Sequence, residues 1–305
     1  MFKKFFLLFK FVWFHPLNKR NRLGAIWRVI SWQIVSRIFN APVLIPFVNG
    51  TCLIANRGTV GATGEWYCGL REYKDMGFLL HLLQPGDLFV DVGANIGSYS
   101  ILAGSCEGVN VLAIEPIPST FLKLQKNIKV NELDNKVNAI NIGMSDQNGT
   151  IHFTSNLDIL NHVLPKNDEN LQSIEVNVLR LDNVMNEKHP TVIKIDVEGY
   201  ESQVLSGAEN VINNPSLLAI ILELNNSGLR YGIEDIDIHK LLLSKGFENF
   251  EYDPLKHKLK SLEGKFISRS TSLFSSNILY LRNFVEIQRR ISRKNSFTLG
   301  TGKKI

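Results

Sequence analysis

Short apolar runs recur from residue 88 to residue 282, and segments with helix-like periodicity separate most of them. Continuous apolar runs are typical of strands that are buried on both faces, and apolar residues spaced three or four apart are typical of surface helices. We predict strands at about 88–92, 110–115, 137–142, 192–197, 218–224, 247–252 and 277–282. This alternation predicts an α/β fold with a doubly wound, mostly parallel seven-stranded sheet.

The pattern changes between residues 143 and 190, where no long helical periodicity is evident. The segments 150–153 and 174–178 alternate apolar and polar residues, and Asn148-Gly149 is a strong hairpin signal. We therefore predict a β insertion that lies over the strand tips, where the loops of α/β proteins carry function.

Two apolar segments lie at the start of the chain. Residues 1–14 are apolar and aromatic with three lysines, and residues 23–39 repeat isoleucine at four-residue spacing, namely Ile26, Ile30, Ile34 and Ile38. One interpretation is a pair of amphipathic helices that rest in the plane of an anionic membrane surface. The other is a helical cap whose apolar face packs on the rest of the protein.

These patterns divide the chain into three regions. Residues 1–64 form a basic, aromatic N-terminal extension, which we expect to end in a small β-hairpin within 41–64. Residues 65–285 form the main domain, which opens with a helix at 65–84, and residues 286–305 form a basic C-terminal tail.

The charge is unevenly distributed. The chain of 305 residues has a net charge of +5, but nine basic residues precede the first acid, Glu65. A one-signed segment of this kind favours an anionic partner surface. The three cysteines have no C-x-x-C spacing, which favours reduced thiols. Because residues 1–14 are too short to span a bilayer and no cleavage site follows them, we expect a cytoplasmic protein that is peripheral at the inner membrane face.

A glycine turn followed by an acid indicates a nucleoside site. Asp91 ends an apolar run, and Gly93, Asn95 and Gly97 follow it in a G-x-N-x-G arrangement that we call the glycine turn. Glycine lets a strand turn sharply into a helix whose first N–H groups face a ligand. Glu115 ends the next apolar run, about 20 residues further on, where a carboxylate suits the hydroxyl groups of a ribose.

Three longer motifs are more specific than the glycine turn alone. They are VDVGANIG at 90–97, EPIP at 115–118 and KIDVEGYE at 194–201. Over about residues 65–285 the chain resembles the FkbM family of S-adenosylmethionine-dependent methyltransferases, whose members typically methylate hydroxyl groups of sugars, polyketides or other natural products. The stretches 67–70, 161–163 and 277–280 are similar to a bacterial subgroup often found near glycan genes, which favours a sugar or glycan acceptor.

The resemblance implies a role for each residue of the nucleoside site. The glycine turn would face the methionine part of S-adenosyl-L-methionine, and Asp91 would offer negative charge near its ammonium group. Glu115 would bind the ribose hydroxyls. Met144 and Ser145, which follow the third strand, would border the adenine.

A second group of acids lies near the end of the fourth strand. The period of two in a strand places Lys194, Asp196 and Glu198 on one side, and Glu223 ends the neighbouring strand. Methyl transfer to an alcohol needs a base for the hydroxyl proton. We predict that Asp196 lies closest to the methyl group, with Glu198 and Glu223 in supporting roles. The alternative is that Lys194 and one carboxylate form a buried ion pair that fixes the strand.

His162 lies in the insertion that should roof the site. It is a candidate general base, and a histidine hydrogen-bonded to loop backbone is the alternative. Asp196, Glu223 and Asn225 offer oxygen ligands that magnesium accepts. We nevertheless predict no metal, because carboxylates at strand tips are common without one.

Two other functions stay open at this point. A nicotinamide-dependent oxidoreductase is disfavoured by Asn95 and Ser98, which stand where its motif has glycines. A non-catalytic, membrane-associated module with a nucleoside-binding fold is the other. We expect no nucleic-acid partner; the expected partners are a small-molecule or glycan acceptor and an anionic membrane surface contacted by residues 1–40.

Overall fold

The computed structural model describes residues 2–39, 41–56, 60–154, 162–164, 172–266, 276–293 and 295–305. Helices and a small hairpin precede the central sheet. In chain order they are α1 (Phe2–Phe14), α2 (Arg22–Ile38), β1 (Val43–Pro46), β2 (Cys52–Ala55), α3 (Val60–Cys68) and α4 (Tyr73–Leu82). Strands β1 and β2 pair antiparallel, as the sequence predicts for this region.

Strands and helices then alternate. The elements are β3 (Leu88–Val92), α5 (Ser98–Gly104), β4 (Asn110–Ile114), α6 (Pro118–Val130), β5 (Val137–Ile140), β6 (Gly143–Met144), β7 (Gly149–Thr154), β8 (Ser173–Leu179), α7 (Leu181–Met185), β9 (Val192–Ile195), α8 (Glu201–Ser206), α9 (Glu209–Asn213), β10 (Ala219–Glu223), α10 (Asp235–Ser244), β11 (Glu248–Asp253), β12 (Lys258–Ser261), β13 (Asn277–Leu281) and α11 (Phe284–Ile291).

One large sheet forms the centre of the fold. Its strand order is β12-β11-β13-β10-β9-β3-β4-β5. The five strands from β10 to β5 are parallel, whereas β13 runs antiparallel to both of its neighbours. From β3 the chain builds outward first through β4 and β5 and later through β9 and β10, so the strand order reverses beside β3. The predicted class, a doubly wound and mostly parallel α/β sheet, is confirmed.

Two details differ from the prediction. The sheet has eight strands instead of seven, because β12 adds an antiparallel edge strand beside β11. The single helix predicted at 65–84 is two helices, α3 and α4. The chain turns between them at Gly69, whose φ of +92° a helix cannot accommodate.

The predicted β insertion is present as a separate sheet of three strands in the order β6-β8-β7. Strands β7 and β8 pair antiparallel, and Val163 forms a bridge to Phe153 at the end of β7. Segment 162–164 is thereby held against this small sheet.

The N-terminal extension packs into the same apolar core as the central sheet. Val12 of α1 and Val29 of α2 belong to one buried cluster with Phe89 of β3. The C-terminal segment folds back onto the hairpin region, where Leu299 bridges Val48. In the described parts of the chain every helix is too short or too polar to cross a bilayer.

Candidate active site

The register of the parallel strands places four chemically important residues side by side across the sheet. Val92 of β3 aligns with Ile114 of β4 and with Ile195 of β9, and Ile195 aligns with Leu222 of β10. The residues that follow these four positions, namely Gly93, Glu115, Asp196 and Glu223, therefore emerge side by side at the carboxyl ends of parallel strands. This is the edge at which open α/β sheets bind ligands, next to the point where strand order reverses.

A cavity opens at this edge. Eight residues that the sequence singles out line it: Asp91, Gly93, Asn95, Glu115, Met144, Asp196, Glu198 and Glu223. Three others, Gly97, Ser145 and His162, do not line it in the described structure. The cavity thus brings together the nucleoside site and the second group of acids.

Only glycine fits at position 93. Its φ is +81°, and a Cβ atom there would lie 1.9 Å from the backbone oxygen of Asp196. The glycine turn therefore passes directly against the end of β9. Asn95 also has a positive φ, of +52°, which asparagine tolerates, and its Oδ1 accepts a hydrogen bond from the N–H of Ile96 at 2.7 Å.

Gly97 serves the packing of the helix behind the turn. It immediately precedes α5 with a φ of +94°, and a Cβ atom there would lie 2.5 Å from Cδ1 of Leu124. Its observed contacts are therefore structural, at the junction between α5 and α6.

Asp91 is a buried carboxylate with one unused oxygen. Its Oδ2 accepts a hydrogen bond from the Ser100 hydroxyl at 2.6 Å, whereas its Oδ1 is buried without a hydrogen-bond partner. Burial raises the pKa of Asp91, against the opposing effect of Lys194. A buried acceptor without a donor is costly unless a ligand supplies one.

Glu115 is held by the backbone on both oxygens. Oε2 accepts the N–H of Asn95 at 2.9 Å, and Oε1 accepts the N–H of Ile117 at 3.0 Å. Burial raises the pKa of Glu115 to about 7, although these two N–H groups favour the ionised form. Each oxygen keeps a further lone pair, so the carboxylate can accept two more hydrogen bonds in a fixed orientation.

Asp196 forms an ion pair with Lys194, and is thus the carboxylate partner that the alternative interpretation left unspecified. The Lys194 ammonium donates to Oδ2 of Asp196 at 2.7 Å and lies 4.8 Å from the centre of the Tyr99 ring. Desolvation disfavours both charges. The ion pair outweighs it, so the pKa of Asp196 is lowered and that of Lys194 is raised. The alternative interpretation of Lys194 is thus confirmed, yet the Asp196 side chain stays 31% exposed and lines the cavity.

The pKa values of the two neighbouring acids, Glu223 and Glu198, are shifted in the opposite direction. Burial and the negative charge of Asp196 raise the pKa of Glu223 to about 10, and the Ser276 hydroxyl donates a hydrogen bond to Glu223. Burial and the charge of Asp196 also raise the pKa of Glu198 to about 8. The environment of Asp196 therefore favours its ionised form, whereas the environments of Glu198 and Glu223 favour their protonated forms.

Glu198 and its neighbours form a compact cluster. Glu198 has a φ of +55°, which is unusual for this residue, and Arg230 Nη1 donates to its backbone oxygen at 2.7 Å. Carboxylate oxygens of Asp196, Glu198 and Glu223 lie within 4.8 Å of one another, which is close enough to surround a cation. The prediction that no metal binds here stays a prediction.

Ser145 and His162 are attached to the strands of the small sheet by hydrogen bonds. The Ser145 hydroxyl donates to Oδ1 of Asp146 at 3.0 Å, and its backbone N–H donates to the oxygen of Leu179. The backbone N–H of His162 donates to the Thr154 hydroxyl oxygen at 3.0 Å, and its side chain is buried. The insertion reaches the cavity through other side chains, those of Phe153 and Val163.

Several cavity residues have no signal in the sequence motifs. Glu65 of α3, Arg71 and Glu72 of the turn before α4, and Tyr99 of α5 all line the cavity. The Tyr99 hydroxyl donates to Oε2 of Glu72 at 2.7 Å, and Oε2 of Glu65 accepts the N–H of Arg71 at 2.8 Å. Only the family-like stretch 67–70, which directly precedes Arg71, pointed to this part of the chain.

The cavity is strongly acidic. Its described lining includes seven carboxyl groups and two cations, Arg71 and Lys194. Such a site favours a positively charged ligand, because each added positive charge lets a buried acid ionise at lower cost.

Comparison with known proteins identifies the family. A model described as "Methyltransferase FkbM domain" matches residues 91–249, just over half of the chain. Hexuronic acid methyltransferase AglP of Haloferax volcanii is 29% identical over 167 residues, which cover 54% of this chain and 64% of that protein. The 31-O-demethyl-FK506 methyltransferase FkbM of Streptomyces tacrolimicus is 29% identical over 248 residues, which cover 67% of this chain and 92% of that protein.

Among solved structures, an rRNA methylase from Streptococcus thermophilus matches with 13% identity and a TM-score of 0.39, over 68% of this chain and 91% of that chain. Similarity at this level carries no information about the substrate. The family match rests instead on the segment that contains Asp91, Glu115, Asp196 and Glu223. The chain belongs to the FkbM methyltransferase family.

Proposed function

We propose that this protein transfers a methyl group from S-adenosyl-L-methionine to a hydroxyl group of a sugar, a glycan or another small natural product. The observation that carries the proposal is the single cavity shared by Asp91, Glu115 and Asp196. One cavity thus joins two acids suited to hold the cofactor with one suited to receive a proton.

The nucleoside side of the cavity fits the cofactor. The unpartnered Oδ1 of Asp91 suits the ammonium group of its methionine part. The free lone pairs of Glu115, whose orientation two backbone N–H groups fix, suit the ribose hydroxyls. Met144, Ile117 and Ile142 give the cavity an apolar wall, which suits the adenine ring.

The acidic lining also suits a ligand that bears a sulfonium and an ammonium group. When bound, S-adenosylmethionine supplies a methyl group that is activated by the positive sulfur. For the methyl donor, the protein therefore only has to bind the cofactor and orient its methyl group.

Asp196 is suited to receive the proton of the acceptor hydroxyl. As the oxygen–methyl bond forms, the hydroxyl oxygen becomes positively charged and its proton far more acidic, so a carboxylate of lowered pKa can accept it. The Lys194 ammonium keeps Asp196 ionised. The raised pKa values of Glu198 and Glu223 favour protonated forms, which can donate hydrogen bonds that orient the acceptor.

The relatives support a hydroxyl-bearing acceptor. One is named for a hexuronic acid and another for an O-demethylated natural product. Carboxyl groups such as Glu72 and Glu198 in the cavity lining are common partners of sugar hydroxyls. Membership in a methyltransferase family argues against the alternative of a nicotinamide-dependent oxidoreductase.

The test is methyl transfer from isotopically labelled S-adenosylmethionine to a panel of nucleotide sugars, lipid-linked glycans and oligosaccharides. We expect at least one acceptor to gain a labelled methyl ether, and Asp196→Asn to slow the transfer by about 100-fold or more. Asp253→Asn is the matched control, because Asp253 forms an ion pair with Lys256 outside the cavity lining. Transfer to nitrogen or carbon only, or a full rate in Asp196→Asn, would contradict the proposal.

A further inference from the structure

Helices α1 and α2 expose an unusually large number of big apolar side chains. Of the 18 exposed large hydrophobic side chains in the described structure, ten lie within residues 6–39. We call this the α1–α2 surface and define it by Phe6, Phe9, Trp27, Ile30, Ile34 and Ile38. Trp27 is 65% exposed and Ile38 is 68% exposed. A concentration of this kind on a water-exposed helix pair marks an interaction surface.

The opposite face of α2 attaches the helix to the domain. Ala25, Val29 and Trp32 are buried there. Arg28 Nη2 donates to the backbone oxygen of Tyr67 at 2.8 Å, and the Trp66 indole N–H donates to the oxygen of Arg28 at 3.2 Å. The two interpretations of this segment are therefore compatible, because one face packs on the domain and leaves the other available.

The charge around the α1–α2 surface has one sign. Residues 1–64 contain nine basic residues and no acid. Lys10, Lys19, Arg20 and Arg37 are exposed on or beside the two helices. Exposed apolar side chains bordered by cations are the arrangement found in helices that lie in the interface of an anionic bilayer.

We propose that the α1–α2 surface docks the protein on an anionic lipid bilayer, with both helices lying in the plane of the membrane. The exposed aromatic and aliphatic side chains enter the boundary between headgroups and acyl chains, and the flanking lysines and arginines contact anionic headgroups. A second copy of this chain is a poor alternative occupant. A symmetric dimer would set the same basic surface against itself and bring like charges together.

Docking would place the bilayer one helix away from the cavity. Arg28 of α2 binds the backbone of α3, and Gly61 and Glu65 of the same α3 line the cavity. The membrane-bound surface and the candidate active site are therefore joined by a single packed helix.

The test is co-sedimentation of the full chain with vesicles of phosphatidylcholine alone and of phosphatidylcholine mixed with phosphatidylglycerol. We expect binding to the anionic vesicles that weakens with added salt. The double substitution Ile30→Ser/Ile34→Ser should weaken binding by about tenfold or more, because two apolar side chains no longer enter the lipid. Leu255→Ser/Val285→Ser is the matched control, since both side chains are exposed but lie on other parts of the chain.

A second pair of variants tests the charges. Lys19→Gln/Arg20→Gln should weaken binding to anionic vesicles, whereas Lys258→Gln/Lys260→Gln, which removes two exposed lysines of β12, should not. The thermal unfolding temperature of each variant shows whether the fold is kept. Equal binding by the wild type and Ile30→Ser/Ile34→Ser would overturn the proposal. So would a wild-type dimer that this double substitution converts to a monomer.

Discussion

The variant Glu115→Gln tests the cofactor site most directly, because its effects on cofactor affinity and on stability can be measured separately. A carboxylate accepts on both oxygens, and in Glu115 each oxygen takes one backbone N–H, from Asn95 and from Ile117. The amide of glutamine has only one oxygen, so it can accept only one of these two N–H groups. Its NH₂ group would face the other N–H, donor against donor. We therefore expect the free energy of unfolding to fall by about 1–3 kcal/mol.

The same change should weaken cofactor binding. The ribose hydroxyls would lose charge-assisted hydrogen bonds worth roughly 1.5–3 kcal/mol, which is a 10- to 150-fold increase in Kd. Isothermal titration calorimetry with S-adenosylhomocysteine measures this at pH 8, above the Glu115 pKa of about 7. Denaturant unfolding of the same preparations measures stability.

Glu201→Gln is the matched control. Glu201 is also buried, has a pKa raised by burial to about 7, and accepts two backbone N–H groups, from Val197 and Gly199. Both bonds go to one oxygen, which an amide can replace, and Glu201 does not line the cavity. We expect its Kd to stay within about twofold of the wild type. An unchanged Kd in folded Glu115→Gln would remove Glu115 from the cofactor site.

Three further predictions follow from the cavity. Burial raises the pKa of Glu115 to about 7, so raising the pH from 6 to 8 ionises it. S-adenosylmethionine should therefore bind more tightly at pH 8 than at pH 6, by up to about tenfold over this range, when followed by calorimetry; a Kd that is independent of pH would contradict this. Gly93→Ala would force Cβ to within 1.9 Å of the Asp196 backbone oxygen, so the free energy of unfolding, measured thermally and with denaturant, should fall by about 3 kcal/mol or more. Gly86→Ala is the control: its φ is a similar +92° but the space around it is open, so it should cost about 1–2 kcal/mol. Lys194→Met removes the cation that lowers the pKa of Asp196, so the acid limb of the pH–rate profile for methyl transfer should move to higher pH; an unmoved limb would show that Asp196 does not carry it.

The central fold could be predicted from the sequence because its strands are buried on both faces. Continuous apolar runs such as residues 219–222 of β10 leave little ambiguity, and all seven predicted strands are present. Strand β12 escaped prediction because Lys258–Ser261 is short, lies at the sheet edge and has polar residues at most positions. The break between α3 and α4 depends on the conformation of Gly69, which an apolar periodicity does not encode.

Only the site residues that lie at the ends of strands could be predicted from the sequence. Asp91 lies one residue before the end of β3, and Glu115 and Asp196 directly follow β4 and β9, so topology alone brings them to one edge. Arg71 and Glu72 lie in a turn between helices and reach the cavity through packing, which a single sequence does not reveal. The proton distribution among the acids likewise depends on burial and on the Lys194 ion pair.

The most direct measurement is a crystal structure of the protein with bound S-adenosylhomocysteine. We expect both ribose hydroxyls to lie within about 3 Å of the Glu115 carboxylate and the amino group to contact Asp91, with the sulfur facing the side of the cavity that holds Asp196. A ligand bound elsewhere, or with its ribose away from Glu115, would contradict the proposed site.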